Sequence, residues 1–312
     1  MINVIGAFLI IVLGIFIGLL YKGIDRRLAA RLQARIGPPI IQPFYDIRKL
    51  MMKETVKPEN AVSWMYELAP VLSLAASLLI LLYIPFPGIG SVLGSSGDLI
   101  VVLYLLMLPS LFMVFGGFAS GNPYAAVGAQ REMVMMMSYE LPLATVAIAI
   151  AWKIGSFILP NIVSAPVWLV VGPLGIVGFL LLLFVILSVV PAELSKIPFD
   201  APEAETEIAG GLLVDYSGRN LALFYLSDAV KSFAISALVV VLFFPFDLGL
   251  TGIASLIWFL LKVLIVMVIS ITFVRVLAAR LQIDNVARYY WKTLSVIAIL
   301  GLVLIMLDGV IA

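Results

Sequence analysis

The sequence predicts an all-α, polytopic integral membrane protein. The chain of 312 residues is 63% hydrophobic and 12% charged, with a mean hydropathy of +1.20; a soluble domain carries about 25% charged residues. Apolar runs of roughly 20 residues, the length a bilayer-crossing helix needs, recur along the whole chain. Lys and Arg fall in alternate loops, the bias that sets membrane orientation. One membrane domain over residues 1–312 suffices, because no polar segment is long enough for a second, soluble one.

Eight spans are predicted, at about 2–21, 62–84, 98–119, 137–153, 167–190, 220–245, 252–274 and 290–311. No charge interrupts the first. Met1–Tyr21 has no basic residue ahead of it and a basic run behind, the reverse of a cleaved signal peptide, so it reads as a retained anchor. The fourth carries Glu140 and Pro142 near its start. The segment 22–57 holds Lys22, Arg26, Arg27, Arg31, Arg35, Arg48, Lys49, Lys53 and Lys57. Loops 119–136, 191–219 and 275–289 add Arg131, then Lys196 and Arg219, then Arg275, Arg280 and Arg288. The opposite loops, 85–97, 154–166 and 246–251, have neither Lys nor Arg and are short and turn-like. The large polar loops are therefore expected in the cytoplasm of a multi-pass cell-membrane protein, with both termini outside.

Within 23–57, Phe44, Ile47, Leu50 and Met51 recur at helical spacing while Asp46, Lys49 and Lys53 take other faces. That pattern predicts an amphipathic helix in the membrane interface, serving either topology and lipid contact or the docking of a partner. Residues 191–219 hold six of the 18 acidic residues, namely Glu193, Asp200, Glu203, Glu205, Glu207 and Asp215. Pro198, Pro202, Gly210 and Gly211 predict a turned, defined loop. Glu203 and Glu207, four apart, would share a face of any helix there. Clustered carboxylates raise one another's pKa, which suits a proton relay, and an acidic face also suits a basic partner.

Charges inside spans are costly, about 2.5–3.5 kcal/mol at a helix centre, and usually mark ion or proton paths. Glu140 is such a group, with an interfacial glutamate as the plain alternative. Asp228 and Lys231, three apart in the sixth span, would share a face and pair, either as a relay or as a structural tie. Lys262 in the seventh has no acid near in sequence and needs a partner from another helix or water. Glu67 reads as interfacial, Asp98 and Asp308 as solvated helix ends, and the cluster Met133, Met135, Met136 and Met137 as packing.

Net charge is +1, so nucleic-acid binding has no electrostatic support. The chain lacks Cys and His, which removes thiolate and imidazole ligands and the usual nucleophile pairs. No redox cofactor or metal is expected on the chain itself. No two related halves are evident, which disfavours a self-contained transporter.

Several runs stand out when taken together. They are Ala192-Glu193 with Pro198 through Glu207 and Asp215-Tyr216-Ser217-Gly218; Arg35-Ile36-Gly37-Pro38 with Gln42-Pro43, Asp46, Lys49-Leu50 and Lys53-Glu54; and Asn122-Pro123-Tyr124-Ala125 with Gly128, Arg131 and Ser138-Tyr139-Glu140. Ala222-Leu223-Phe224 with Asp228 is a fourth, and Arg275, Arg280, Asp284 and Trp291-Lys292 a fifth. Together these runs closely resemble the subunit 1 family of respiratory complex I, in order through nearly the whole chain.

The resemblance implies a membrane anchor with no redox centre of its own. It would sit under a peripheral arm made of a small-subunit-like iron–sulfur protein and a hydrogenase-like large subunit, with antiporter-like subunits beside it. Iron–sulfur clusters, and NiFe in a hydrogenase, would belong to those partners. By position, Glu140, Asp228, Glu203, Glu205 and Glu207 match the family's functional acids; these, and Glu193, Asp215, Lys231 and Lys262 from the chain's own charge pattern, are expected in proton or ion coupling. Arg35, Asp46, Arg131, Asp200 and Arg219 are expected at the junction with the arm.

Complex I members carry a longer segment and a second Gly-Pro where this chain has only Gly37-Pro38-Pro39-Ile40-Ile41-Gln42-Pro43. The shortening resembles the membrane-bound energy-converting hydrogenase branch and its sulfur-reducing relatives. Asp228 stands where complex I usually has Glu, and Lys231 and Glu132 replace uncharged residues. The expectation is a non-redox subunit coupling ferredoxin oxidation to proton or sodium translocation. A quinone-site subunit, a subunit of a related sulfur-reductase complex and a stand-alone ion transporter are the rivals; bound quinone would favour the first, and ion flux by the isolated chain the last.

Overall fold

A computed structural model of the chain describes residues 4–93, 99–245 and 249–311. Among the described residues there are no strands, and eight helices are long and apolar enough to cross a membrane. The protein is an all-α, multi-pass membrane protein. Asp98 lies outside the described residues.

Helix α1 (Val4–Leu32) continues well past Tyr21. Its basic tail holds Arg, Leu and Ala, good helix formers, and breaks only before Gly37-Pro38-Pro39, where proline cannot extend it. Helix α2 (Gln42–Met51) starts with proline in its first turn and is the expected amphipathic element. It lies against α1: Phe44 stands 5.4 Å from Phe16, and Asp46 takes an ion pair from Arg26 at 2.7 Å.

Helices α3 (Ser63–Tyr83) and α4 (Leu99–Ala119) pack side by side. Helix α5 runs from Pro123 to Ile154, 32 residues, rather than starting near 137. Asn122 caps its start by accepting the Tyr124 N–H at 2.9 Å. At 1.5 Å per residue it is about 48 Å long, against about 30 Å of hydrocarbon, so its first turns stand beyond the apolar layer. Arg131 and Glu132, expected in a loop, are therefore helical.

Two short helices, α6 (Leu159–Ser164) and α7 (Val167–Val170), lead to α8 (Pro173–Glu193). The acidic loop then folds as a 3₁₀ turn (Ala201–Glu203), α9 (Glu205–Ile208) and a second 3₁₀ turn (Gly211–Leu213). Helix α10 (Gly218–Phe243) is the hub: most of its residues are buried, and it packs on α1, α3 and α11. Helix α11 (Ile253–Met267) passes through a π turn (Val268–Phe273) into α12 (Val274–Leu277). Helix α13 (Ile283–Arg288) passes through another (Tyr289–Leu294) into α14 (Ser295–Ile311).

Small residues let these helices touch, as membrane packing requires. A Cβ at Gly18 would lie 2.6 Å from the Ala229 carbonyl of α10, and one at Gly178 of α8 would lie 2.7 Å from the Gly301 carbonyl of α14. Asp308 is not a solvated end. It is 4% exposed, accepts the backbone N–H groups of Gly172 and Gly175, and pairs with Lys153 at 2.7 Å. Burial demanded those partners.

Candidate ion-coupling site

Helix α8 ends beneath the acidic loop, and its last turn delivers three side chains to three places. Ser195 adopts a left-handed backbone, φ 47°. Its N–H bonds the Ala192 carbonyl and the Lys196 N–H bonds that of Pro191, so the chain closes on itself and turns away. Glu193, expected as a loop residue, is instead the last residue of α8, with its side chain fully buried. Its Oε1 lies 2.7 Å from Lys231 Nζ on α10. Lys231 also donates to Ser110 Oγ of α4 at 2.7 Å and to the Glu193 carbonyl at 2.8 Å. Ser195 donates to Glu132 of α5 at 2.9 Å, and Lys196 pairs with Asp228 of α10 at 2.8 Å.

Asp228 and Lys231 do share a face of α10, but they do not pair with each other. Asp228 sits between two ammonium groups, Lys22 of α1 at 2.7 Å and Lys196. Each partner comes from an element distant in sequence, which spacing along one helix cannot show. A cavity of about 180 Å³ opens among Lys22, Lys196, Glu203, Asp228 and Lys231. That is room for several water molecules beside these charged groups.

Glu203 faces this cavity from the 3₁₀ turn. The extended Ala204 ends this turn before α9 begins, so Glu203 and Glu207 do not share the face of one helix. Glu207 instead points outward and pairs with Arg131 of α5, which also donates to the Ala201 carbonyl at 3.2 Å. The side chain of Glu205 lies outside the described residues. Burial pushes the Glu203 carboxyl above its ordinary range; Lys196 and Lys22 work against this, while Asp228 and Asp200 reinforce it. Burial would neutralise Lys196, yet Asp228 and Glu203 outweigh it and hold its ammonium above the usual lysine range.

Other site residues lie around this core. Arg280 grips Asp200 through two bonds, Nε to Oδ1 at 2.8 Å and Nη2 to Oδ2 at 2.5 Å. Asp215 accepts from Asn122 at 3.0 Å, and its carbonyl takes the Tyr66 hydroxyl. Partial burial works upward on Asp46, but bonds from Arg26 and Gln42 dominate and hold its carboxyl below the usual range. Arg35 is exposed and bonds Gln33, and Arg219 is exposed near the Lys57–Glu67 pair. Lys262 stands apart from the cluster, donating to the Phe244 carbonyl past the end of α10.

Glu140 is also outside the cavity. It lines an apolar hollow of about 480 Å³ between α4 and α5, with Leu103, Tyr104, Met107 and Ala144. No hydrogen bond or ion pair is formed by it among the described residues. Tyr139, its neighbour, is buried against Glu193. Two residues that the charge pattern alone did not bring to the site are Lys22 and Ser195. Lys22 follows the first apolar run, where a lysine reads as topology, and the signal for Ser195 is a polar residue just after a helix end.

Fold and site define a class: an eight-span helical membrane protein with a charge cluster sunk under a folded acidic loop. A family model described as NADH dehydrogenase matches residues 5–306. A NADH-quinone oxidoreductase subunit of Brevibacillus brevis is 32% identical over 292 residues, 90% of this chain and 85% of the relative. The corresponding subunit of Protochlamydia amoebophila is 34% identical over 299 residues, 90% of this chain and 89% of its own. A solved chain of the membrane-bound sulfane sulfur reductase, an archaeal respiratory membrane complex, superposes with a TM-score of 0.86 at 33% identity, over 96% of this chain and 98% of that one. The chain belongs to the NADH dehydrogenase subunit 1 family.

Proposed function

We propose that this chain is the non-redox membrane subunit of a complex-I-like, energy-converting oxidoreductase of the membrane-bound hydrogenase type. It seats a ferredoxin-oxidising peripheral arm on its cytoplasmic loops and couples that arm's electron transfer to proton or sodium translocation. One observation carries this reading: Asp228 lies between Lys22 and Lys196, at the foot of the loop that would meet the arm. A charge arriving at that loop, through protonation or movement, acts directly on buried ions in α10. From there Lys231, Glu193 and Tyr139 lead toward Glu140, whose carboxylate opens on the lipid-facing hollow. A neighbouring ion-translocating subunit seated there would receive the change. The chain's part is to hold and shift charge; the clusters and any NiFe centre belong to the partners.

The likeness to the sulfane sulfur reductase supports a second reading, a sulfur-reducing assembly on the same membrane plan. Copurification of the native complex with metal analysis separates the two. Nickel in the large partner means hydrogen evolution, and its absence there with sulfur-dependent turnover means the second. In either assembly Glu140→Gln is expected to leave the complex assembled and to cut ion translocation at least tenfold. Wild-type translocation in that variant would leave Glu140 a plain interfacial residue.

A further inference from the structure

Position 195 is where glycine is expected. The two closing bonds, Lys196 N–H to Pro191 and Ser195 N–H to Ala192, form the helix stop whose left-handed residue is usually Gly, because a Cβ is strained there. This chain places a serine at φ 47° instead. The hydroxyl explains the choice: it donates to Glu132 Oε2 at 2.9 Å, and Glu132 is 2% exposed. Glu132 follows Arg131, which holds the far part of the same loop through Ala201 and Glu207. Two consecutive residues of α5 thus hold the first half of the loop at two points, Ser195 and Ala201–Glu207. The residue after Ser195 is Lys196, one of the two cations on Asp228.

We propose that Glu132 is a positioning residue: as acceptor for the Ser195 hydroxyl it holds the strained turn that delivers Lys196 to Asp228. The side-chain oxygen, rather than the turn alone, fixes where the Lys196 ammonium lies. Movement of α5 relative to α8 therefore changes the Lys196–Asp228 contact without any change at either residue. The consequence for ion coupling rests on the proposed function; the tie itself does not.

The test uses the whole membrane complex carrying Glu132→Ala, Glu132→Gln, Ser195→Ala or Ser195→Gly. Backbone hydrogen–deuterium exchange over residues 194–199 is read beside ion translocation per electron. Ser195→Gly relieves the backbone strain while deleting the hydroxyl, so a purely structural turn would exchange as slowly as wild type or more slowly. The expected result is exchange at least fivefold faster in Glu132→Ala, Ser195→Ala and Ser195→Gly. Glu132→Gln, which keeps an acceptor oxygen, should restore protection. Wild-type exchange in Ser195→Gly and Glu132→Ala, or no rescue by glutamine, overturns the inference. Faster exchange with unchanged ion translocation upholds the tie and counts instead against the relay reading of the cluster.

Discussion

At single residues, what matters is which charges are held and by what. Glu203 is raised chiefly by burial, so ionising it disfavours the folded state. Below the unfolded carboxyl value, near 4.3 for a free Glu, both states are protonated and this penalty is absent. It grows as pH rises from there to the raised folded value and is complete above it. Glu203→Gln should therefore melt close to wild type at pH 4 and above it at pH 8, in a thermal scan of the purified complex. A gap that shrinks with rising pH would contradict the assignment. Lys196 has the opposite sense: its raised value contributes stability that is complete below the unfolded lysine value and lost as pH climbs through the folded one. The candidate residues were legible one by one in the sequence, since an acid or a lysine in an apolar run is conspicuous. Their partners were not. Lys22 is 206 positions from Asp228, and no local spacing rule joins them.

At the scale of elements, α5 shows where hydropathy misleads. Arg131 and Glu132 look like loop residues, so the span reads as starting near 137, yet the helix begins at Pro123. A window on apolarity finds the part of a helix in hydrocarbon, whereas hydrogen bonding continues the helix into the polar region. In the acidic loop the turned, defined path was legible, but a shared helical face for Glu203 and Glu207 was not decided by their spacing: the chain is extended at Ala204, between them. The opposite ends of α5, α8 and α14 are joined by Lys153 and Asp308, whose side chains are 8% and 4% exposed. Removing one member of such a pair strands the other, whereas replacing both by apolar residues of similar size is often neutral. Asp308→Asn should accordingly lower the midpoint of denaturation markedly. Lys153→Met with Asp308→Leu should recover only part of it, because Asp308 also accepts two backbone N–H groups. Equal stability of Asp308→Asn and wild type would reduce the pair to a surface contact.

At the scale of the whole molecule, eight spans and one crowded polar side follow from apolar length and basic-residue placement, and both were readable before any fold was known. The packing around α10 was not, because its hydropathy of 1.9 is among the lower values of the eight although it is the most enclosed. Burial in a membrane protein tracks neighbours, not apolarity. Orientation is checked by single cysteines, since the chain has none of its own. Arg35→Cys should react with an impermeant thiol reagent only from the cytoplasmic face and Ser164→Cys only from outside; the reverse pattern would invert the topology.

The central claim is that electron transfer in a partner drives ions through charges centred on Asp228. Its most direct test is ion translocation per electron by the complex in sealed vesicles, with Asp228→Asn against wild type. The account predicts an assembled complex that still passes electrons but moves at least tenfold fewer ions for each one. An unchanged ratio in Asp228→Asn would contradict it.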